Sequence, residues 1–134
     1  MKLQSLTCTY EQAATLKQLG LHQHSYFSWT GMPKLDVPYH VAPTEVIHQT
    51  YSGIYYTVRK AAFTVSELMA IIAQDALATK RLQVLFKSQL IQHTPITELV
   101  TAPFLAQQLI ELIQLRLLPI DIINQQPEPH FTPG

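Results

Sequence analysis

Histidine is the residue type with the broadest capacity for chemistry in this chain, because a neutral imidazole ligates divalent metals and changes its charge near pH 7. The sequence contains six histidines. An extended segment would place the rings of His22 and His24 on one side. His40 and His48 could approach this pair, and two imidazoles with a carboxylate could hold a metal. No cysteine pair or His–Glu pair shows ligand spacing, so we favour loop and turn positions for these histidines and expect no cofactor.

Cys8 is the single cysteine and precedes a predicted helix, where a helix N-terminus can lower the pKa of a thiol. A nucleophilic role would also need a base beside it, and we favour a small apolar packing role. One cysteine cannot form an internal disulfide, so nothing indicates an oxidising compartment. No apolar run reaches the roughly 20 residues that span a bilayer. We therefore expect a cytoplasmic protein that does not enter a membrane.

The charges balance overall but not locally. The formal net charge is zero at pH 7, which gives no overall attraction to nucleic acid. Residues 59–87 hold five basic and two acidic side chains, whereas residues 88–134 hold one basic and four acidic. We favour internal pairing and solvated surface as the explanation, and complementary patches could also drive self-association. The alternative is single-stranded nucleic acid bound by stacking and phosphate contacts, through Tyr51, Tyr55, Tyr56, Arg59 and Lys60.

The last predicted helix, from about residue 102 to residue 117, is apolar on more than one face. Such a helix is either central in the core or covered by a partner. Twofold dimers are the commonest oligomers, and for so small a domain we expect a second subunit. The candidate interface residues are Leu105, Leu109, Leu112 and Ile113.

Capping signals place two earlier helices. Thr9 and Gln12 can cap a helix that ends at Gly20, where a left-handed residue is favourable. Thr64 and Glu67 form a Thr-x-x-Glu capping box at the start of the second. Its apolar residues, extending to Ala76, recur at helical spacing and should face a sheet.

Strand signals lie between and after these helices. Aromatic and β-branched residues over 26–30 predict a strand, and three prolines over 32–44 predict a long loop or an extended edge segment. Residues 46–51 and 54–59 flank Ser52-Gly53 and predict a β-hairpin.

Two later segments are harder to assign. Residues 82–91 fit a strand face and a helix face equally well. We favour a strand, because continuing the second helix to residue 91 would exceed the usual 8–20 residues. Thr94-Pro95 predicts a short helix.

These elements predict one α+β domain over residues 1–123, with a small antiparallel sheet and three to four helices packed on one face. Residues 124–134 contain three prolines and predict a flexible tail. The length of 134 residues suits one domain.

Three stretches carry a resemblance to a known group of proteins. Residues 11–20, EQAATLKQLG, and residues 25–29, SYFSW, resemble the pattern "EQAxxLKxLG…SxFxW" of short uncharacterised bacterial proteins from prophage and mobile-element contexts. Residues 61–68, AAFTVSEL, are similar to that family's "AAxTVAEL" segment, and residues 106–118 are loosely similar to its closing helix. After residue 68 the sequence departs from the pattern, because Met69 and an alanine-rich run replace an expected glycine. The resemblance implies no activity, ligand or catalytic residue.

Together these observations favour a non-enzymatic interaction protein that self-associates and has an accessory role in a phage or mobile element. The alternatives are a nucleic-acid accessory protein and a small metal- or ligand-binding domain.

Overall fold

A computed structural model describes residues 3–50, 59–93, 95 and 100–124. It confirms an α+β fold with a three-stranded antiparallel sheet. In chain order the elements are a 3-10 turn over Leu3–Leu6, α1 over Tyr10–Gln18, β1 over Phe27–Met32, a 3-10 turn over Pro33–Leu35, β2 over Val37–Pro43, α2 over Thr44–Thr50, β3 over Lys60–Ala61, α3 over Val65–Ile72, α4 over Ala76–Ile91, α5 over Ala102–Gln114 and α6 over Ile120–Ile123.

Both predicted capping boxes are confirmed. At α1 the Thr9 side chain accepts from the backbone N–H of Gln12, and the Gln12 side chain accepts from that of Thr9. Thr64 and Glu67 make the same reciprocal pair at α3. Gly20 follows α1 with a φ of +94°, as its predicted left-handed position requires.

The sheet has the order β2-β1-β3, so the predicted strand over 26–30 is its centre. Phe27 lies opposite Pro43, and Trp29 lies opposite Val41. The proline-rich segment is therefore an edge strand, the second of the two predicted alternatives. Prolines are tolerated there because an edge strand has a neighbour on one side only and does not need every backbone N–H for hydrogen bonds between strands.

The predicted hairpin over 46–51 and 54–59 is wrong in its first strand, because residues 44–50 form α2. Thr44 and Ile47 are buried, whereas Val46 between them is half exposed. Buried residues three positions apart are typical of a helix. In this segment that spacing determines the structure, although its β-branched residues favour a strand. Ser52-Gly53 and residues 54–58 lie outside the described residues, and β3 begins at Lys60.

The predicted strand over 82–91 is also wrong, because this segment belongs to α4. The second helix does not continue to residue 91; it ends at Ile72, and a new one begins after Asp75, whose carboxylate accepts from the Ala78 N–H at 2.9 Å. Ala76 therefore opens α4 instead of extending the α3 stripe. The helix predicted from Thr94-Pro95 lies outside the described residues.

The core forms where α5 packs against α1 and α3. Leu16 of α1, Leu68 of α3 and Leu109 of α5 are completely buried there. By contrast, α4 meets this core mainly through Ala78 and Leu82. Phe86 extends that contact by stacking on Phe104 at a ring separation of 6.0 Å. Ala78, Leu82 and Phe86 are spaced four residues apart and therefore share one face of α4. That face packs against the core, and the other faces of the helix do not.

Candidate functional site

The structure brings two of the four candidate histidines together. The rings of His22 and His24 lie 5.0 Å apart, at a cleft of about 170 Å³. His40 lies on β2, where its Nδ1 is 2.8 Å from the carbonyl oxygen of Pro38. His48 lies within α2, and its side chain is outside the described part of the chain. Within that part, no three His, Cys, Asp or Glu side chains are grouped so that they could hold a metal ion.

The cleft beside His22 and His24 has an apolar wall and a polar rim. The wall includes Leu21, Phe63 and Ile71. The rim is formed by His22, His24, Tyr26, Glu67, Gln74 and Asn124. A mixed lining of this kind is typical of small-molecule sites, in which apolar area binds and a few polar groups orient.

Glu67 connects the cleft to the sheet. Its Oε1 accepts from the Ser25 hydroxyl at 2.9 Å, and its Oε2 accepts from the Tyr26 N–H at 3.1 Å. The sequence pattern predicts only the capping box between Glu67 and Thr64, because the additional partners of Glu67 lie about 40 residues away along the chain. The Glu67 carboxylate therefore fixes the two residues before β1, Ser25 and Tyr26, beside the cleft.

Asn124 fixes the opposite side of the cleft. Its Oδ1 accepts from the His22 N–H at 2.9 Å, and its Nδ2 donates to the carbonyl of Gly20 at 2.8 Å. The segment after α1 is thereby attached to the end of α6. Local sequence patterns carry no signal for this pairing, because more than 100 residues separate the partners.

The basic candidates for nucleic-acid contact have structural neighbours. Arg59 is only 8% exposed, and its guanidinium donates to the Ser28 hydroxyl and the Gln23 carbonyl, each at 3.0 Å. The Lys60 ammonium lies 5.0 Å from the centre of the Tyr10 ring, within cation–π distance. Tyr51, Tyr55 and Tyr56 lie outside the described residues, so the nucleic-acid interface stays a prediction.

Cys8 is completely buried. Its N–H donates to the Phe63 carbonyl at 2.9 Å, and its own carbonyl accepts from the Trp29 indole at 3.0 Å. Burial raises the pKa of the Cys8 thiol to about 11, although hydrogen bonding of the thiol group to the backbone at Phe63 and at Cys8 itself partly opposes the rise. Burial and a raised pKa are typical of structural cysteines rather than of reactive ones.

The Cys8 thiol should make stability fall in alkaline solution. In the unfolded chain the thiol ionises near pH 9.0, whereas in the folded chain it ionises near pH 11. Between these values the unfolded state holds fewer protons, so the free energy of unfolding falls by up to about 1.4 kcal/mol per pH unit from this group. Urea unfolding from pH 8 to pH 10 should show a steeper decline for the wild type than for Cys8→Ala. Parallel declines would contradict the burial of an ionisable thiol.

The candidate interface on the last helix lies largely inside the chain's own core. Leu105 and Leu109 are 0% exposed and Leu112 is 8% exposed, while Ile113 is partly buried. Of the two explanations for this apolar helix, a central position in the core therefore accounts for the first three residues. A surface for self-association must be sought elsewhere on the helix and its neighbours.

A larger groove lies between α4 and α5, with a volume of about 690 Å³. Leu82 and Leu112 are among the apolar residues that line it. Leu77, Val84 and Leu115 also line it and are 59%, 61% and 66% exposed. Its charged residues are Lys80, Arg81 and Glu111. Large apolar side chains gathered beside one groove, rather than scattered singly, are typical of protein-interaction sites and of ligand-binding grooves.

None of the helices in the described ranges combines the length and the apolar character needed to cross a membrane. The similarity of residues 11–20, 25–29 and 61–68, and more loosely of 106–118, to prophage proteins stays an expectation from the sequence. No protein-family model, curated protein or solved structure matches the chain.

Proposed function

We propose that this chain is a non-enzymatic interaction protein that forms a homodimer through the groove between α4 and α5. The observation that carries this proposal is the exposure of Leu77, Val84 and Leu115 at that groove. Burying three such side chains removes apolar area from water, worth about 1.5–3 kcal/mol for each one fully buried.

The attachment of α4 supports a partner at this place. The helix has 16 residues, yet Ala78 and Leu82 are its only fully buried side chains among those described. Packing of an apolar face supplies most of the stability of a helix in a protein. A partner seated in the groove would cover the second apolar face of α4 and stabilise the whole helix.

The charges at the groove favour a second copy of the chain as that partner. Lys80 and Arg81 lie on α4, and Glu111 lies on α5. In a twofold dimer each surface meets an identical surface, so the basic pair of one copy can face the carboxylate of the other. One groove with both signs of charge is thus complementary to itself. Because the sequence resembles short bacterial proteins from prophage and mobile-element contexts, we also propose that this association serves a phage or mobile element.

Light scattering behind size exclusion tests this proposal. The wild type is expected at about twice the 15.2 kDa of one chain. Val84→Glu and Leu115→Glu should each elute as single chains, because a carboxylate would have to be desolvated in the interface. Both positions are more than half exposed, so the fold should survive, with circular dichroism as the check.

Leu35→Glu is the matched control, because Leu35 is 64% exposed but does not line the groove. It adds the same charge and should leave the dimer intact. A wild type that stays a single chain at high concentration would contradict the proposal. Loss of the dimer in Leu35→Glu alone would place the interface at the surface around Leu35 and would also contradict the proposal.

A further inference from the structure

We infer that the cleft beside His22 and His24 binds a small primary amine carried on an aromatic or alkyl group. This inference is independent of the groove between α4 and α5, since the two cavities share no residue. It rests on the size of the cleft, its apolar wall, an acceptor that has no partner among the described residues, and a carboxylate whose partners in that part of the chain are all neutral.

The size of the cleft sets the size of the ligand. Its volume is about 170 Å³, and an apolar cavity of roughly 150 Å³ accommodates one benzene ring. Leu21, Phe63 and Ile123 are almost fully buried and form the deep wall. A single ring or a short alkyl chain with one attached polar group therefore fits this space.

Gln74 supplies a reason to expect a hydrogen-bond donor on that ligand. Its side-chain carbonyl oxygen, Oε1, is buried and has no hydrogen-bond partner within the described part of the protein. A buried acceptor left without a donor costs about 1–3 kcal/mol, and most such groups in native proteins have a partner. Gln74 lines the cleft, so a rotation of its side-chain amide would turn this acceptor toward an N–H group bound there.

Glu67 supplies a reason to expect a positive charge on that donor. Among the described residues, the hydrogen-bond donors that reach its carboxylate are the Ser25 hydroxyl, the Tyr26 N–H and the N–H and hydroxyl of Thr64, and all of these are neutral. Oε2 accepts only the Tyr26 N–H among these, so it retains a free lone pair. An ammonium group would complement this negative charge, whereas a carboxylate or phosphate would be repelled.

Benzylamine is a suitable probe, because it joins one ring to one primary ammonium. Titration followed by two-dimensional amide NMR should shift residues around the cleft, including His22, Tyr26 and Gln74. For so few non-hydrogen atoms we expect a Kd on the order of 1 mM. Benzyl alcohol should bind at least about tenfold more weakly, since it lacks the charge, and benzoate should not bind.

Two variants of neighbouring residues locate the site. Ala70 is exposed and lines the cleft, so Ala70→Phe should fill the opening and abolish the benzylamine shifts. Met69 is next to it on α3 but does not line the cleft, so Met69→Phe should bind as the wild type does. Gln74→Leu removes the carboxamide, and with it the acceptor, and should weaken benzylamine binding by about fivefold to tenfold.

Each of the following results would overturn the inference. They are the absence of shifts around the cleft at saturating benzylamine, equal binding of benzoate, and full binding by Ala70→Phe. If benzyl alcohol matches benzylamine, the cleft is an apolar pocket without selectivity for an amine, which also contradicts the inference. None of these results depends on whether the protein forms a dimer.

Discussion

Replacing Gly31 by alanine is expected to lower the free energy of unfolding by about 3 kcal/mol or more. Gly31 has a φ of +140°, a conformation that is strained for residues with a Cβ atom. It lies at a register shift between β1 and β2. A Cβ atom there would be 2.6 Å from the carbonyl oxygen of Pro38 and 2.9 Å from the Cα of Tyr39. Both contacts are to backbone, so side-chain rotation cannot relieve them.

Gly20→Ala is the matched control for Gly31→Ala. Gly20 also has a positive φ, +94°, but a Cβ atom there would meet no heavy atom within 4 Å. It should therefore cost only the conformational strain, about 1 kcal/mol. Urea unfolding of both variants measures the difference. Equal losses would show that the approach of the Gly31 and Pro38 backbones is not what makes glycine necessary at this bulge.

Leu109→Ala is expected to cost about 2–5 kcal/mol of stability, a large part of the 5–15 kcal/mol of an ordinary domain. Leu109 is 0% exposed and sits in the core where α5 packs against α1 and α3. Truncation removes its contacts and leaves a cavity that its neighbours fill only partly. Thermal and urea unfolding should both show the loss.

Leu115→Ala provides the comparison at the C-cap of the same helix. Leu115 is 66% exposed in one chain, so its truncation should change the stability of the monomer by no more than about 0.5 kcal/mol. It should nevertheless weaken the dimer, because Leu115 lines the groove. A large loss of monomer stability from Leu115→Ala, or a small one from Leu109→Ala, would reverse the assignment of the core and the outer surface.

Local signals in the sequence predict the parts of this fold that local interactions determine. Thr9 with Gln12, and Thr64 with Glu67, identify two helix starts because each cap joins residues three apart. The strand at residues 26–30 is visible from its aromatic and β-branched residues. These elements establish the α+β class, which the structure confirms.

Two elements are predicted wrongly because their short apolar runs fit the spacing of a helix as well as that of a strand. Val46 and Ile47 suggested a strand, but only Ile47 is buried, three residues after Thr44. Residues 82–91 suggested a strand because a helix continuing from α3 would be too long. The cap at Asp75 divides that run into two helices. An aspartate three residues before Ala78 was a usable signal for this division.

The candidate sites depend on contacts that sequence spacing does not encode. The cleft brings His22 of the segment after α1, Glu67 of α3 and Asn124 after α6 together. The sequence favoured the last helix as an interface because its apolar residues surround it. The structure divides these apolar residues into two groups: Leu109 lies in the core, whereas Leu115 lies on the surface.

Exchange of charges across the groove tests the twofold arrangement most directly. One variant carries Lys80→Glu with Arg81→Glu, and the other carries Glu111→Lys. Each alone places like charges opposite one another in a homodimer, so light scattering should give the mass of one chain. Mixed in equal amounts, they restore opposite charges on both sides of the twofold axis, and a heterodimer of about twice the single-chain mass should form. A mixture that remains at the single-chain mass, or variants that dimerise alone as the wild type does, would contradict self-association through this groove.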